Sequence, residues 1–342
     1  MDVKKKDRIV LICCLAAIVV SIGVGFLGVK VFSSLFSTND VIDEAGVVID
    51  GNFVDNNINN ALYSPLVARV GDKLYVSLYP RGIYEISESG KRRLSSDCGE
   101  VAVVDGELYA WVSSGLKHID SAEGKLVAQT ELDNLYSIRS GDVYIDYIIE
   151  QVGIASEKHT AQFMYKGETV HTVESEYALY YYIDNETNSI FYTTSENELR
   201  RFDFSDNSDW LVYQFGEAYP ESLIVEDGVL FISVQDNEIS SVCYFDLDSL
   251  NIVPTTIAES DEYYLTFNAY GGNVYIASGP NLIKYDISSG EKQVIATKTN
   301  IYHCYIVDDK WVYFVDVNSS EDADELWRVT QDGSIIEKVL GQ

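Results

Sequence analysis

Few of the residues that mark a particular chemistry occur in this chain. Its four histidines are His118, His159, His171 and His303, and no two stand at the i, i+2 strand or i, i+4 helix spacing of zinc sites. HExxH, Gly-x-Ser-x-Gly and a glycine-rich phosphate loop are all missing, which removes the signatures of zincins, α/β-hydrolases and P-loop enzymes. Cysteine is scarce: beyond the N-terminal apolar run only Cys98, Cys243 and Cys304 occur, none in a CxxC, and an odd number cannot all pair. A disulfide framework is therefore not expected, and apolar burial must hold the fold. Basic residues are short as well, 24 against 54 acidic for a net charge of −30. Removing the five basic and two acidic residues of positions 1–30 leaves 19 against 52, a net of −33 for the remainder. Such a surface repels phosphate backbones and anionic headgroups, so nucleic acid is not expected as a partner. The same charge attracts cationic partners and divalent ions, and it also serves solubility.

What the chain has in plenty is aromatic residues, 25 Tyr, 13 Phe and 4 Trp, arranged in a repeat. A polar turn followed by a hydrophobic–aromatic pair occurs seven times. The pairs are Leu74-Tyr75, Leu108-Tyr109, Val143-Tyr144, Ile190-Phe191, Leu230-Phe231, Val274-Tyr275 and Val312-Tyr313. Successive pairs lie 34, 35, 47, 40, 44 and 38 residues apart. A period near 40 built from short strands is that of a β-propeller with one four-stranded blade per repeat. A second turn recurs inside the units, at Ser89-Gly90, Glu123-Gly124, Lys166-Gly167, Asp206-Asn207, Asp248-Ser249, Ser289-Gly290 and Asp332-Gly333. Asp-Gly between apolar runs is a hairpin signal, with positive φ expected at both central residues. No sustained 3.6-residue apolar pattern runs through the units, which argues against a helical solenoid. The expected fold is all-β, seven blades of four antiparallel strands over 61–342. The irregular fourth unit, with Tyr180-Tyr181-Tyr182 before a long polar turn, leaves six or eight blades as alternatives.

The last unit reads Trp311-Val312-Tyr313-Phe314-Val315-Asp316 and then Leu326-Trp327-Arg328-Val329-Thr330-Gln331-Asp332-Gly333-Ser334. This resembles a YWTD-type blade, the propeller of low-density-lipoprotein-receptor-like proteins and of membrane-anchored bacterial domains related to it. The other units keep the turns and the aromatic but lose the Asp. The resemblance implies a propeller serving as a binding module and little chemistry. It also implies six blades, from which the seven phrases depart.

Residues 9–29 carry no charge and are mostly Ile, Val, Leu, Ala and Gly. At 1.5 Å per residue they span about 31 Å, matching a hydrocarbon core of about 30 Å. Lys4, Lys5, Lys6 and Arg8 precede them, and only Lys30 is basic before Arg69. The positive-inside rule then places residues 1–8 in the cytoplasm and the propeller outside the cell membrane, with 9–29 as a signal anchor. The alternative is a cleaved signal peptide, for which the apolar core is long and an Ala-x-Ala site is missing. Ala17, Ser21 and Gly25 at small-xxx-small spacing would allow an anchor-mediated dimer. Residues 30–60 read as an acidic, Asn-rich tether. Its apolar patch, Gly46 to Val54, would either add a strand at a blade edge and help close the ring, or dock.

No catalytic residue and no cofactor is assigned, and carboxylates are too numerous to single out a glycosidase-like pair. Calcium is the one ion considered, at Asp316, Glu321, Asp322, Asp324 and Glu325 in the acidic loop of the last unit, against the simpler reading of a solvated loop. The longest departure from the repeat lies at 146–159. Tyr147, Ile148, Ile149, Glu157 and His159 are the partner-contact candidates there, and an extended hairpin is the alternative. The functional expectation is a non-catalytic, extracytoplasmic binding or scaffold module recognising a protein or peptide. A glycan-binding or glycan-cleaving propeller is the alternative, to be recognised by an aromatic platform beside two carboxylates.

Overall fold

The computed structural model describes residues 41–42, 47–53, 65–104, 107–120, 125–127, 138–140, 142–152, 156–237, 239–247, 253–317 and 324–341. The apolar run 9–29 lies outside them. Among the described residues, no helix is long and apolar enough to cross a membrane. Strands fall into seven antiparallel sheets, each a meander in chain order, spanning 67–95, 100–127, 138–175, 181–214, 219–260, 265–297 and 301–340. These are blades 1 to 7. Six sheets have four strands, and the first has a fifth of two residues beside its outermost strand. The seven-bladed count stands, and the irregular fourth unit is an ordinary blade.

Why the repeated phrase is apolar at two adjacent positions follows from sheet geometry. Successive strand residues point to opposite faces, and in a ring of blades both faces are covered by a neighbour. Leu74 accordingly joins the cluster shared with blade 7, while Tyr75 joins the one shared with blade 2. Ile190 faces blade 3 and Phe191 blade 5; Val274 faces blade 5 and Tyr275 blade 7. In each case the hydrophobic residue packs backward and the aromatic forward. Blade 3 departs from this. There Val143, Ile145 and Tyr147 all pack forward against blade 4, which puts Tyr144 on the backward-facing side. A one-residue slip flips a strand's whole side-chain set, and local sequence cannot reveal it.

Turn chemistry is legible but uneven. Asp227-Gly228 (φ 49° and 74°) and Lys166-Gly167 (φ 53° and 85°) have both central residues in the left-handed region, as expected for two-residue hairpins. Asp332-Gly333 differs, because only Gly333 (φ 77°) is left-handed. Asp332 instead accepts bonds from Thr330 Oγ1 at 2.7 Å and Ser334 N at 2.9 Å.

Blades 7 and 1 are far apart in sequence and meet at the seam of the ring. Leu74, Val76, Leu78 and Tyr84 of blade 1 pack on Tyr305, Trp311, Tyr313 and Val315 of blade 7. No blade 1 segment enters the sheet of blade 7, whose four strands all come from 301–340. A peptide clasp covers the seam instead. Residues 47–53 bury Ile49 in the seam cluster. Asn52 donates to Asp309 through its backbone N at 2.7 Å and its Nδ2 at 2.6 Å, and Asp309 N returns a bond to Asn52 O at 3.1 Å. Asp50 accepts from Trp311 Nε1 at 2.7 Å and pairs with Lys310. Arg328 reaches Val48 O at 2.8 Å, and Arg69 of blade 1 reaches Gly51 O at 3.0 Å. The described part of the apolar patch, 47–53, therefore docks across the seam, with a single bridge between Phe53 and Asp308 in place of an added strand.

Beneath the clasp lies Asp308, fully buried. It accepts from Trp311 N at 2.7 Å, Lys310 N at 3.1 Å and Tyr313 OH at 3.0 Å, with Arg69 Nη1 at 3.6 Å. Burial pushes its carboxyl up, and these donors and the guanidinium oppose the rise. Replacing Asp308 by Ala leaves a buried Arg69 and three donors without their acceptor. The predicted loss is about 3–5 kcal/mol in urea unfolding, with Asp308→Asn costing less because it keeps an acceptor. A loss below about 1 kcal/mol for Asp308→Ala would remove Asp308 from the seam's support.

Candidate functional site

In an antiparallel meander, turns alternate between the two ends of the blade. One face of the ring therefore carries the turns between second and third strands and the connections between blades, and is called upper here. The other carries the remaining two turns of each blade. Nine aromatic side chains are exposed among the described residues: Phe53, Tyr79, Trp111, Tyr177, Trp210, Tyr219, Tyr263, Tyr264 and Tyr302. All but Phe53 and Trp210 lie on the upper face. Tyr79 sits in a turn, Trp111 near the upper end of its strand, Tyr177, Tyr263 and Tyr264 in connections, and Tyr219 and Tyr302 at the start of inner strands. Acidic residues are spread over both faces. The upper turns and connections alone hold Asp97, Glu176, Glu196, Glu217, Asp261, Glu262 and Asp324, against the described cations Arg81 and Lys298.

The connections are ordered by a recurring device. A serine at or near the end of the outer strand accepts a backbone N–H two or three residues on. Ser95 takes Asp97 N at 3.0 Å, Ser175 takes Tyr177 N at 2.9 Å, and Ser260 takes Tyr263 N at 2.9 Å. Two of these turns hold up an exposed tyrosine. The Tyr263 ring also lies flat on Gly279 (φ +54°), where any Cβ would sit 2.7 Å from the ring. Beside it the Glu221 carboxyl is pushed up by burial, against a bond from Tyr264, and its Oε2 is buried without a partner.

The 146–159 region is an extended hairpin, with ten-residue strands Val143–Val152 and Ser156–Tyr165 rising at the upper face. The five sequence candidates divide within it. Tyr147 and His159 are buried. Leu179 N donates to Tyr147 OH at 2.9 Å, leaving the phenol proton for His159 Nδ1 at 3.0 Å. They pin the hairpin to the connection that carries Tyr177. Burial lowers the His159 pKa, with Glu157 opposing. Ile148 is half-buried, while Ile149 and Glu157 are exposed. A groove of about 760 Å³ opens beside them, lined by Val152, Glu157, Lys158, Glu174, Ser175, Glu176, Tyr177 and Ser195. Ser195 belongs to blade 4, so the groove spans two blades. Sequence reasoning found the hairpin and missed Tyr177 and the serine turns, which a Ser-x-Tyr after an outer strand would have signalled.

Of the calcium candidates, Glu321 and Asp322 lie outside the described residues. Asp316 accepts from Asn300 N at 2.8 Å, and Glu325 bonds Lys338 Nζ at 2.6 Å and Trp327 Nε1 at 3.0 Å. Asp324 ties the upper seam, its N donating to Tyr79 O at 2.9 Å. Burial raises its carboxyl, with Arg81 opposing. Among the described residues no three His, Cys, Asp or Glu side chains are grouped to hold a metal. The histidines stay apart, and all three described cysteines are free thiols.

No known family's sequence profile matches the chain. No curated protein matches it either. The likeness is to solved structures. The AfRom2 CNH domain is 10% identical, with 82% of this chain and 97% of that chain covered and a TM-score of 0.51. A puromycin hydrolase is 11% identical, with coverages of 87% and 57% and a TM-score of 0.52. The extracellular domain of a hybrid two component system from B. thetaiotaomicron is 9% identical, with coverages of 82% and 43% and a TM-score of 0.49. The chain thus spans about half the length of the last two. At these identities the likeness shows the fold alone, and the YWTD resemblance rests on the residues of blade 7.

His303 yields a pH test. It is buried on the inner strand of blade 7 with Nδ1 unpartnered, and burial pushes its pKa down to about 4. The unfolded chain takes up this proton near pH 6.5 and the folded chain only near pH 4. This contribution to stability is therefore full above about pH 6.5 and lost as pH falls toward 4. Between pH 7 and pH 5 the loss is about 2 kcal/mol. Wild type should lose about that much more than His303→Gln over this interval in urea unfolding. Equal losses would show that His303 is protonated in the folded state.

Proposed function

We propose that the chain is a non-catalytic binding module that recognises a protein or peptide with the upper face of its propeller. In this reading residues 9–29 anchor it in the cell membrane, 1–8 lie in the cytoplasm, and 30–60 lead to a propeller over 61–342 held outside the cell. The observation that carries it is the placing of Tyr79, Trp111, Tyr177, Tyr219, Tyr263, Tyr264 and Tyr302 on one face. Exposed aromatics cost burial energy unless something covers them, and they are rigid, large contact surfaces with a polar tip. Rings bind on the face where their loops converge, which suits a recognition role.

A second reading has its own observation. Tyr177 lies beside Glu157, Glu174 and Glu176, and Tyr264 bonds Glu221, so aromatic platforms stand next to carboxylates. Sugar rings stack on such platforms while their hydroxyls bond the carboxylates, which favours a glycan.

The test is photo-crosslinking of the full-length protein in the cells that make it. The crosslinking residue is placed at Tyr79 or Tyr263 on the upper face, or at Ser89 or Asp206 on the lower. The same protein captured from both upper positions and from neither lower one is the expected result. Capture from the lower face alone would overturn the reading, and polysaccharide carried from the upper face would replace the protein partner with a glycan.

A further inference from the structure

We infer that the groove between the blade 3 hairpin and blade 4 docks an extended peptide segment bearing lysine or arginine. This rests on the recognition reading of the upper face and names the chemistry of the partner. Two features of the groove carry it together. The first is charge: Glu157, Glu174 and Glu176 line it with a single cation, Lys158, and that ammonium is held by Glu174 at 2.7 Å. The nearest positive candidate to Glu157 is His159 Nε2 at 3.8 Å, a ring that burial keeps toward its neutral form. The groove thus presents two carboxylates, Glu157 and Glu176, with no lysine or arginine paired to either among the described residues, a surface complementary to a cationic segment.

The second is exposed apolar surface within the lining, on which the stem of a long cationic side chain can lie. Tyr177 is 63% exposed and Val152 52% exposed. Tyr177 is held in place by its backbone bond to Ser175 Oγ. A lysine or arginine lays its methylenes on such surfaces and carries its charge over a ring face or to a carboxylate beyond. A lone metal ion does not fit this arrangement, since no group of three ligating side chains forms among the described residues. Nucleic acid is repelled by the same carboxylates. A neutral glycan would stack on Tyr177 and bond the carboxylates through its hydroxyls, but it would bring no positive charge to offset theirs.

The test is fluorescence anisotropy of labelled hexalysine with the full-length protein, against hexaglutamate and a chitin oligosaccharide. Hexalysine should bind, more weakly as salt rises, while hexaglutamate does not. The double variant Glu157→Gln, Glu176→Gln should weaken hexalysine at least tenfold, and Tyr177→Ala several-fold. The lower-face control Glu88→Gln, Glu291→Gln should leave it unchanged, with thermal unfolding confirming that every variant is folded. Equal weakening by the control pair would show diffuse attraction to an acidic protein and overturn the site. Failure of hexalysine to bind overturns it as well, while upper-face crosslinking to a protein would leave the broader reading standing. Oligosaccharide binding abolished by Tyr177→Ala and untouched by the glutamine variants would overturn it in favour of a glycan.

Discussion

A ring of blades has one junction that the chain does not connect. Closing a loop of this length costs on the order of 5 kcal/mol in chain entropy, and contacts at the seam must offset it. Among the described residues no strand from the N-terminal side completes the last sheet. The seam is held by the apolar cluster of blades 7 and 1, by buried Asp308 facing Arg69, and by the clasp of residues 47–53 across both. Three aromatic and cationic groups of blade 7 organise the clasp. Trp311 donates to Asp50 while its ring lies 4.0 Å from the Arg328 guanidinium, and Lys310 reaches the same carboxylate. The clasp turns what reads as tether into part of the ring.

Closure by a clasp leaves the upper face clear for recognition. The clasp engages the turn of Asp308 to Lys310 and the side chain of Arg69, whose Nε bonds Gly71 O, both on the lower side. The exposed tyrosines stand on the other side, and Ser175 and Ser260 fix the connections that carry Tyr177 and Tyr263. Rigid backing matters for such a surface, because a tyrosine already ordered before contact loses little freedom on binding. The blade 3 hairpin is stiffened likewise by Tyr147 and His159, buried side chains that support the contact surface from beneath.

The fold was legible because a blade buried on both faces must be apolar at adjacent positions, as at Val312-Tyr313 and Val274-Tyr275. The same rule hid the register of blade 3, since Val143-Tyr144 satisfies the pattern on either face. The clasp was half legible: Val47, Val48 and Ile49 mark an apolar patch that would either add a strand at a blade edge or dock. Its partners could not be found, since Asp50 and Trp311 are 261 residues apart and nothing local ties them. The aromatic face was illegible for a further reason. Tyr177 and Tyr263 look like Tyr181 and Tyr275 in composition, and what separates them is that the first two fall in connections and the last two in strands packed between blades.

Hydrogen exchange in the full chain with Asp50→Ala and Asn52→Ala together addresses the seam most directly. The account predicts faster exchange in Val67–Val70, in Ile301–Tyr305 and in Trp311–Asp316, with Leu223 to Ile232 of blade 5 unchanged. Exchange unaltered across the seam, or raised evenly in all blades, would contradict the claim that residues 47–53 close the ring.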